Sequence, residues 1–263
     1  MNTPHILHGS SPVIISFPHV ATAIPTDQHH RYTERALASE DTDWFLDRLY
    51  AFSHALGATC VVPRWSRYLI DLNRPPVDAP MYPGRNNTEL CPTRHFSGDV
   101  IYRDGMAPDA FEVERRIDTY WRPYHDTLQE LIASRRAEHG YVVLFDAHSI
   151  MSELPWLFEG VLPNFSLGTA DGASCAPDLR VALTEVFEIQ DRFSHVVDDR
   201  FKGGYITRHY GRPSEGVHTV QLEMACRTYM SEHAPFVWSD ALSSHAAPVL
   251  DRFVRTLLAW KPD

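Results

Sequence analysis

The segment Arg67-Tyr68-Leu69-Ile70-Asp71-Leu72-Asn73-Arg74-Pro75-Pro76 carries the densest chemistry in this chain. Its first half reads as a buried strand, and two prolines stop that strand just after Asn73 and Arg74. A planar guanidinium beside an amide, on a rigid strand end, suits bidentate capture of a carboxylate. Arg67 lies a short step upstream and supplies a second cation. The competing reading is an arginine that pairs with a local aspartate to hold a turn.

Two other apolar runs end in metal-type side chains. Val13-Ile14-Ile15-Ser16-Phe17-Pro18 leads to His19, and Tyr141-Val142-Val143-Leu144-Phe145 leads to Asp146-Ala147-His148. A fourth run, Val217-His218-Thr219-Val220-Gln221-Leu222-Glu223, ends in a carboxylate, and alternation places Thr219, Gln221 and Glu223 on one face. Two histidines and a carboxylate form a common catalytic zinc set that leaves a position open for water. A further glutamate then serves as the general base. Taken singly, each is as readily a surface histidine or a solvated strand end. Together, at four strand ends, they point to one site.

The elements that must position them alternate. Short apolar runs bounded by breakers predict buried strands near 13–17, 58–62, 68–72, 141–146 and 217–223. Helical spacing predicts helices near 41–56, 108–138, 177–188 and 239–260, with Gly57 and Gly140 as stops and Pro123 as a kink or break. The stretch 75–107 reads as a long loop. This alternation predicts a single α/β domain over residues 1–263, a mixed and mostly parallel sheet flanked by helices, with some antiparallel pairing near the site. In such a sheet, ligands bind beyond the carboxyl ends of the strands, where His19, Asn73, Arg74, Asp146 and His148 would meet.

At these residues the chain resembles the N-formylglutamate amidohydrolases, also called N-formylglutamate deformylases, of histidine degradation. The resemblance covers nearly the whole chain. It rests on Phe17-Pro18-His19, Asp41-Thr42-Asp43-Trp44, Ser66-Arg67-Tyr68, Asp71-Leu72-Asn73-Arg74-Pro75 and Tyr82-Pro83-Gly84. It continues through Tyr120-Trp121-Arg122-Pro123-Tyr124-His125, Asp146-Ala147-His148-Ser149, Gly168-Thr169-Ala170-Asp171-Gly172, Phe201-Lys202-Gly203-Gly204-Tyr205-Ile206-Thr207-Arg208 and Gln221-Leu222-Glu223. That family is similar in fold to the zinc carboxypeptidases and aspartoacylase, which place an Asn-Arg pair on the substrate carboxylate.

The resemblance implies a phosphorylase/hydrolase-like fold and metal-dependent hydrolysis of N-formyl-L-glutamate to L-glutamate and formate. It implies a divalent ion, zinc first, on His19, His148 and a carboxylate, with Glu223 as base. Arg67, Asn73 and Arg74 would hold the glutamate carboxylates. Lys202 and Arg208 are candidates for a second carboxylate or for transition-state charge. One departure stands out: the carboxypeptidase-like His-x-x-Glu is absent, because Val20-Ala21-Thr22 follows His19. Asp43 is then the first choice for third ligand, against a reading in which Asp41 or Asp43 only caps a helix. Asp146 is expected behind a metal-bound histidine, or as a ligand itself. The alternatives are another N-acyl-amino-acid hydrolase or a non-catalytic binder of acidic amino acids.

Composition bounds the partners. A net charge of -10 argues against nucleic acid and anionic membranes, but not against a small acidic substrate held by local arginines. The four cysteines are widely spaced with no C-x-x-C, the first residues show no cationic-apolar-cleavage pattern, and no apolar run approaches membrane length. A cytoplasmic protein with reduced thiols is the expectation. No nucleotide-binding, zincin or serine-hydrolase motif competes.

Overall fold

The computed structural model describes residues 2–77 and 86–262, so the Tyr82-Pro83-Gly84 block lies outside the described residues. The strands are β1 (His5–Leu7), β2 (Val13–Ser16), β3 (Thr59–Val62), β4 (Val142–Ile150), β5 (Phe165–Gly168), β6 (His195–Val197) and β7 (Val217–Ala225). The α-helices are α1 (Glu34–Leu37), α2 (Leu46–Leu49), α3 (Phe52–Ala55), α4 (Ala110–Arg116), α5 (Arg122–His139), α6 (Pro177–Glu188), α7 (Tyr205–Tyr210) and α8 (Asp240–Ala259). The strands form one seven-stranded sheet in the order β1-β3-β2-β4-β7-β5-β6. Pairing is parallel from β3 through β2 and β4 to β7, and between β5 and β6. It is antiparallel where β1 meets β3 and where β5 meets β7.

Side-chain alternation divides the interior in two. Val13, Ile15, Val143, Phe145, Val220 and Leu222 point into a core shared with α6 and α8. Ile14, Val142, Leu144 and Val217 point the other way, into a core closed by Tyr124, Leu128 and Ile132 of α5. On that second face the strands change character along their length. Ser16 follows Ile14, Asp146 and His148 follow Leu144, and Thr219, Gln221 and Glu223 follow Val217. The register sets Asp146 beside Gln221 and His148 beside Glu223. The apolar half of the face anchors the strands, and the polar half is delivered at their carboxyl ends.

The segment around Arg67 is buried but is not a strand. Its hydrogen bonds close locally: Leu69 N–H donates to Ser66 O, Tyr68 N–H to Ser66 Oγ, and Asn73 N–H to Asp71 Oδ1. Such side-chain-capped turns compete with a sheet ladder for the same backbone groups. The helix expected over 41–56 is two short helices. Phe45 sits in the left-handed region at φ 59°, which breaks the run before α2. The strand expected at 141–146 runs on to Ile150. β1, β5 and β6 had no sequence signal, holding no continuous apolar run like those of β2 and β3.

The long helical pattern divides where Pro123 falls. Asp109 caps α4 by accepting Glu112 N–H, Ile117–Trp121 is a π-helical turn, and Pro123 occupies the first turn of α5. Proline has no N–H to return to the preceding turn, and the wider turn absorbs the break. Gly140, at φ 82°, ends α5. Here Trp121 Nε1 donates to Arg74 O at 3.0 Å, and His125 Nε2 donates to Leu72 O at 2.9 Å. Tyr210 OH bonds His125 Nδ1 at 2.9 Å, and the Trp121 and His125 rings stack at 3.7 Å. The helix thus fixes the carbonyls on either side of Asn73. No helix among the described residues is long and apolar enough to cross a membrane.

Burial drives the His125 pKa down from its ordinary 6.5 to about 3; the bond to Leu72 O opposes this only partly. A histidine whose folded pKa is depressed contributes stability fully above its unfolded pKa, and loses it as pH falls through the folded one. His125→Gln should therefore lower stability at pH 7 by roughly 1–3 kcal/mol, a buried hydrogen-bond pair being disrupted. The gap from the parent protein should close as pH falls from about 6.5 toward 3. Urea midpoints of both proteins across that range test this; a gap independent of pH would contradict it.

Candidate active site

Beyond the carboxyl ends of β2, β4 and β7 lies an open cleft with about 410 Å³ of empty space. His19, Asp43, Arg67, Asn73, Arg74, His148, Gln221 and Glu223 line its polar side, and Phe96, Ile150 and Phe201 its apolar side. His19, Asp43 and His148 each point a donor atom into one spot, all within 4.8 Å of one another. Asp43 Oδ2 is 3.8 Å from His19 Nδ1 and 3.2 Å from His148 Nδ1. His19 Nδ1 and Asp43 Oδ1 are buried without a hydrogen-bond partner. Orphaned buried polar atoms are costly in a native fold, and His19 Nδ1, unpartnered beside Asp43 Oδ2 and His148 Nδ1, is left free for a cation.

The far side of each imidazole is held by a carboxylate. His19 Nε2 donates to Asp71 Oδ1 at 2.7 Å, and His148 Nε2 to Asp146 Oδ2 at 2.8 Å. With Nε2 donating to its carboxylate, each imidazole would turn its Nδ1 lone pair to a metal that displaces any proton there. The donor set therefore fits a divalent ion. Asp41 and Asp43 do not cap a helix through their side chains. Asp41 Oδ2 accepts Phe96 N–H, and Asp43 Oδ2 accepts Ser149 N–H at 3.2 Å.

Charge is tightly balanced here. Burial disfavours the Asp71 carboxylate, but His19, Arg67 and Arg74 outweigh it and hold its pKa well below the usual range. Burial also opposes charge on His148, yet Asp146 and Asp43 hold its pKa well above 6.5. For His19, burial and Arg67 win, and the pKa is lowered. Burial pushes Glu223 up to about 8; His148 and Arg67 pull it down, while Asp43 and Asp146 raise it. Gln221 ties Glu223 to the rim, with Nε2 at 3.4 Å from Glu223 Oε2 and Oε1 accepting Gly204 N–H at 2.7 Å.

The cations expected from the sequence separate into two groups. Arg67 and Arg74 reach the cleft. Arg67 Nη2 donates to Asp71 Oδ2 at 2.9 Å, and its guanidinium lies 4.6 Å over the Phe96 ring. Arg74 is aimed by Thr88, whose Oγ1 and carbonyl accept from Nη2 and Nε. Lys202 and Arg208 do not line the cleft. Lys202 Nζ pairs with Asp171 at 2.8 Å, and Arg208 Nε donates to Gly203 O. Asn73 reaches the wall, but Oδ1 accepts Ile206 N–H and Nδ2 donates to Asp146 Oδ2. Asp71 was missed as a functional group. Its place two residues before Asn73, in a turn that needs a side-chain acceptor, was the available signal.

A mixed α/β sheet with a buried His–Asp–His set at its carboxyl edge, and a glutamate facing it, is consistent with a metal site. A family model for N-formylglutamate amidohydrolase matches residues 11–230. An N-formylglutamate deformylase of Pseudomonas aeruginosa is 46% identical over 252 residues, covering 96% of this chain and 94% of the relative. One from Pseudomonas putida is 44% identical over the same span. A crystal structure of N-formylglutamate amidohydrolase from Ralstonia eutropha superposes with a TM-score of 0.79 at 23% identity, covering 98% of this chain and 96% of that one. The chain belongs to the N-formylglutamate amidohydrolase family.

If the three buried donors share one ion, His19→Ala, His148→Ala and Asp43→Asn should each sharply reduce bound divalent metal. Elemental analysis after gel filtration in metal-free buffer measures this. Undiminished stoichiometry in the histidine variants would rule the cluster out as the site.

Proposed function

We propose that this chain hydrolyses N-formyl-L-glutamate to L-glutamate and formate, the activity for which both Pseudomonas relatives are named. The observation that carries the reading is one cleft holding the His19–Asp43–His148 set, the Glu223 carboxyl and two arginines. His19, Asp43 and His148 would hold a divalent ion, zinc being well suited to two imidazoles and a carboxylate, and its chemistry there would be to polarise the formyl oxygen and acidify water.

The chain's own residues do the rest. Glu223 takes the proton from the attacking water as its oxygen adds to the formyl carbon. As the C–N bond breaks, the same carboxyl delivers that proton to the leaving amine. A base with a pKa raised by burial both accepts and returns a proton readily near neutrality. A nearby dication would draw that pKa back toward the ordinary range. Arg74, oriented by Thr88, binds a substrate carboxylate through its planar fork, and Arg67 adds positive potential deeper in the cleft. Fixing the dianion at its carboxylates places the amide against the attacking water. Lys202 and Arg208, which do not line the cleft, take no part in this reading.

A steady-state assay of zinc-loaded protein on N-formyl-L-glutamate, with N-acetyl and N-succinyl analogues alongside, tests the substrate directly. Preference for a longer acyl group would replace this reading with that of another N-acyl-amino-acid hydrolase.

Glu223→Gln keeps the shape but cannot accept the proton. Its kcat should fall by roughly 100-fold or more, with KM and metal content little changed. Loss of metal instead would make Glu223 a ligand. Arg74→Lys keeps charge but loses the fork, so kcat/KM should drop by at least about tenfold at full metal content. An unchanged kcat/KM would leave Arg74 as a turn residue.

A further inference from the structure

Asn73 lies where three elements meet. Its Oδ1 accepts Ile206 N–H, in the first turn of α7, at 2.8 Å. That bond settles which way the amide faces, because only the oxygen can accept. Nδ2 is then turned to Asp146 Oδ2, at 2.9 Å, on β4. The same Asp146 oxygen accepts His148 Nε2–H at 2.8 Å, while Asp146 Oδ1 accepts from Ser16 Oγ at 3.1 Å. Asn73 Nδ2 and His148 Nε2 lie 2.8 Å apart. Both carry hydrogen when Nδ1 faces a metal, and the anionic oxygen they share makes that approach tolerable. Gly204 closes the other side: a Cβ there would overlap the Asn73 amide.

We infer that Asn73 is a positioning residue for the metal site: it clamps Asp146, and through it the His148 imidazole, against the first turn of α7, and does not itself hold the substrate. The inference rests on His148 being a metal ligand, as proposed above. A substrate carboxylate on Nδ2 would sit against the Asp146 carboxylate in a site where Asn73 is 4% and Asp146 0% exposed. Two carboxylates sharing one amide there repel each other with little solvent to screen them. Clamping a carboxylate that orients a metal-binding imidazole carries no such conflict. Gly204 thereby gains a reason: the backbone must pass close enough to hold the amide in place.

The test compares parent protein, Asn73→Ala and Gly204→Ala, each loaded with zinc and dialysed against a chelator. Zinc retention is read by elemental analysis, fold by circular dichroism, and kcat and KM on N-formyl-L-glutamate. Both variants should hold zinc about 10–100-fold more weakly, the usual effect of losing a group that orients a ligand. Their kcat should fall while KM, in fully zinc-loaded protein, stays within about threefold. Gly204→Ala keeps every donor and displaces only the amide, so it gives a second reading should Asn73→Ala fold poorly. Parental zinc retention in folded variants, with a raised KM or with both constants unchanged, would overturn the assignment. A parent protein that holds no zinc would overturn the metal-site reading itself, and this inference with it.

Discussion

One buried carboxylate organises the site. Asp71, fully shielded from solvent, accepts from His19 Nε2, from Arg67 Nη2 and from Asn73 N–H. It orients one imidazole, neutralises a guanidinium that is itself 7% exposed, and shapes the turn that carries Asn73 and Arg74. A buried charge pair of this kind gives little net stability, but breaking it strands the partner's charge at a cost of roughly 3–5 kcal/mol. The cleft's cations and its donor set are therefore linked through a single group. The turn could not have become a strand without losing that group's bond to its own backbone.

The rest of the fold braces this turn. From one side the π-helical turn presents Trp121 to the carbonyl of Arg74, and α5 presents His125 to that of Leu72. From the other, α7 and Gly204 close on Asn73. The Gly168–Gly172 block serves the same end at one remove. Gly168 leaves no room for a Cβ against Gly203, and Ala170 N–H donates to Lys202 O at 2.7 Å. Asp198 gathers Thr169 N–H, Thr169 Oγ and Asp171 N–H beneath that loop. Blocks that read as chemistry in the sequence thus include several that only set the approach of one backbone to another.

Much of the architecture was legible in the sequence because the central strands are buried on both faces. Runs such as Val142–Phe145 leave few alternatives, and caps and stops at Asp109, Gly57 and Gly140 mark helix ends. The outlying strands β1, β5 and β6 were not legible, since His5–Leu7, Phe165–Gly168 and His195–Val197 hold no continuous apolar run like those of β2 and β3. The segment at Arg67–Asp71 misled because buried, β-compatible side chains do not reveal that the backbone closes on its own side chains. At the site, the residue types could be read, but which face of a guanidinium or amide is free could not. Lys202 and Asn73 illustrate this: one pairs outside the cleft with Asp171, and the other is engaged by Ile206 and Asp146.

Core and chemistry share one face of the same strands, apolar at Val142 and Leu144 and reactive at Asp146 and His148. This makes the protein unequal in what changes it can absorb. Exchanging one aliphatic for another at Leu144 is a local packing matter. Inserting or deleting one residue anywhere in the first half of β4 is different in kind, because the pleat has period two. Such a change would turn Asp146 and His148 into the apolar core beside Phe253 and bring Ala147 to the cleft. At the core positions of β4 and β7, volume-conserving exchanges should be far better tolerated than any change of length.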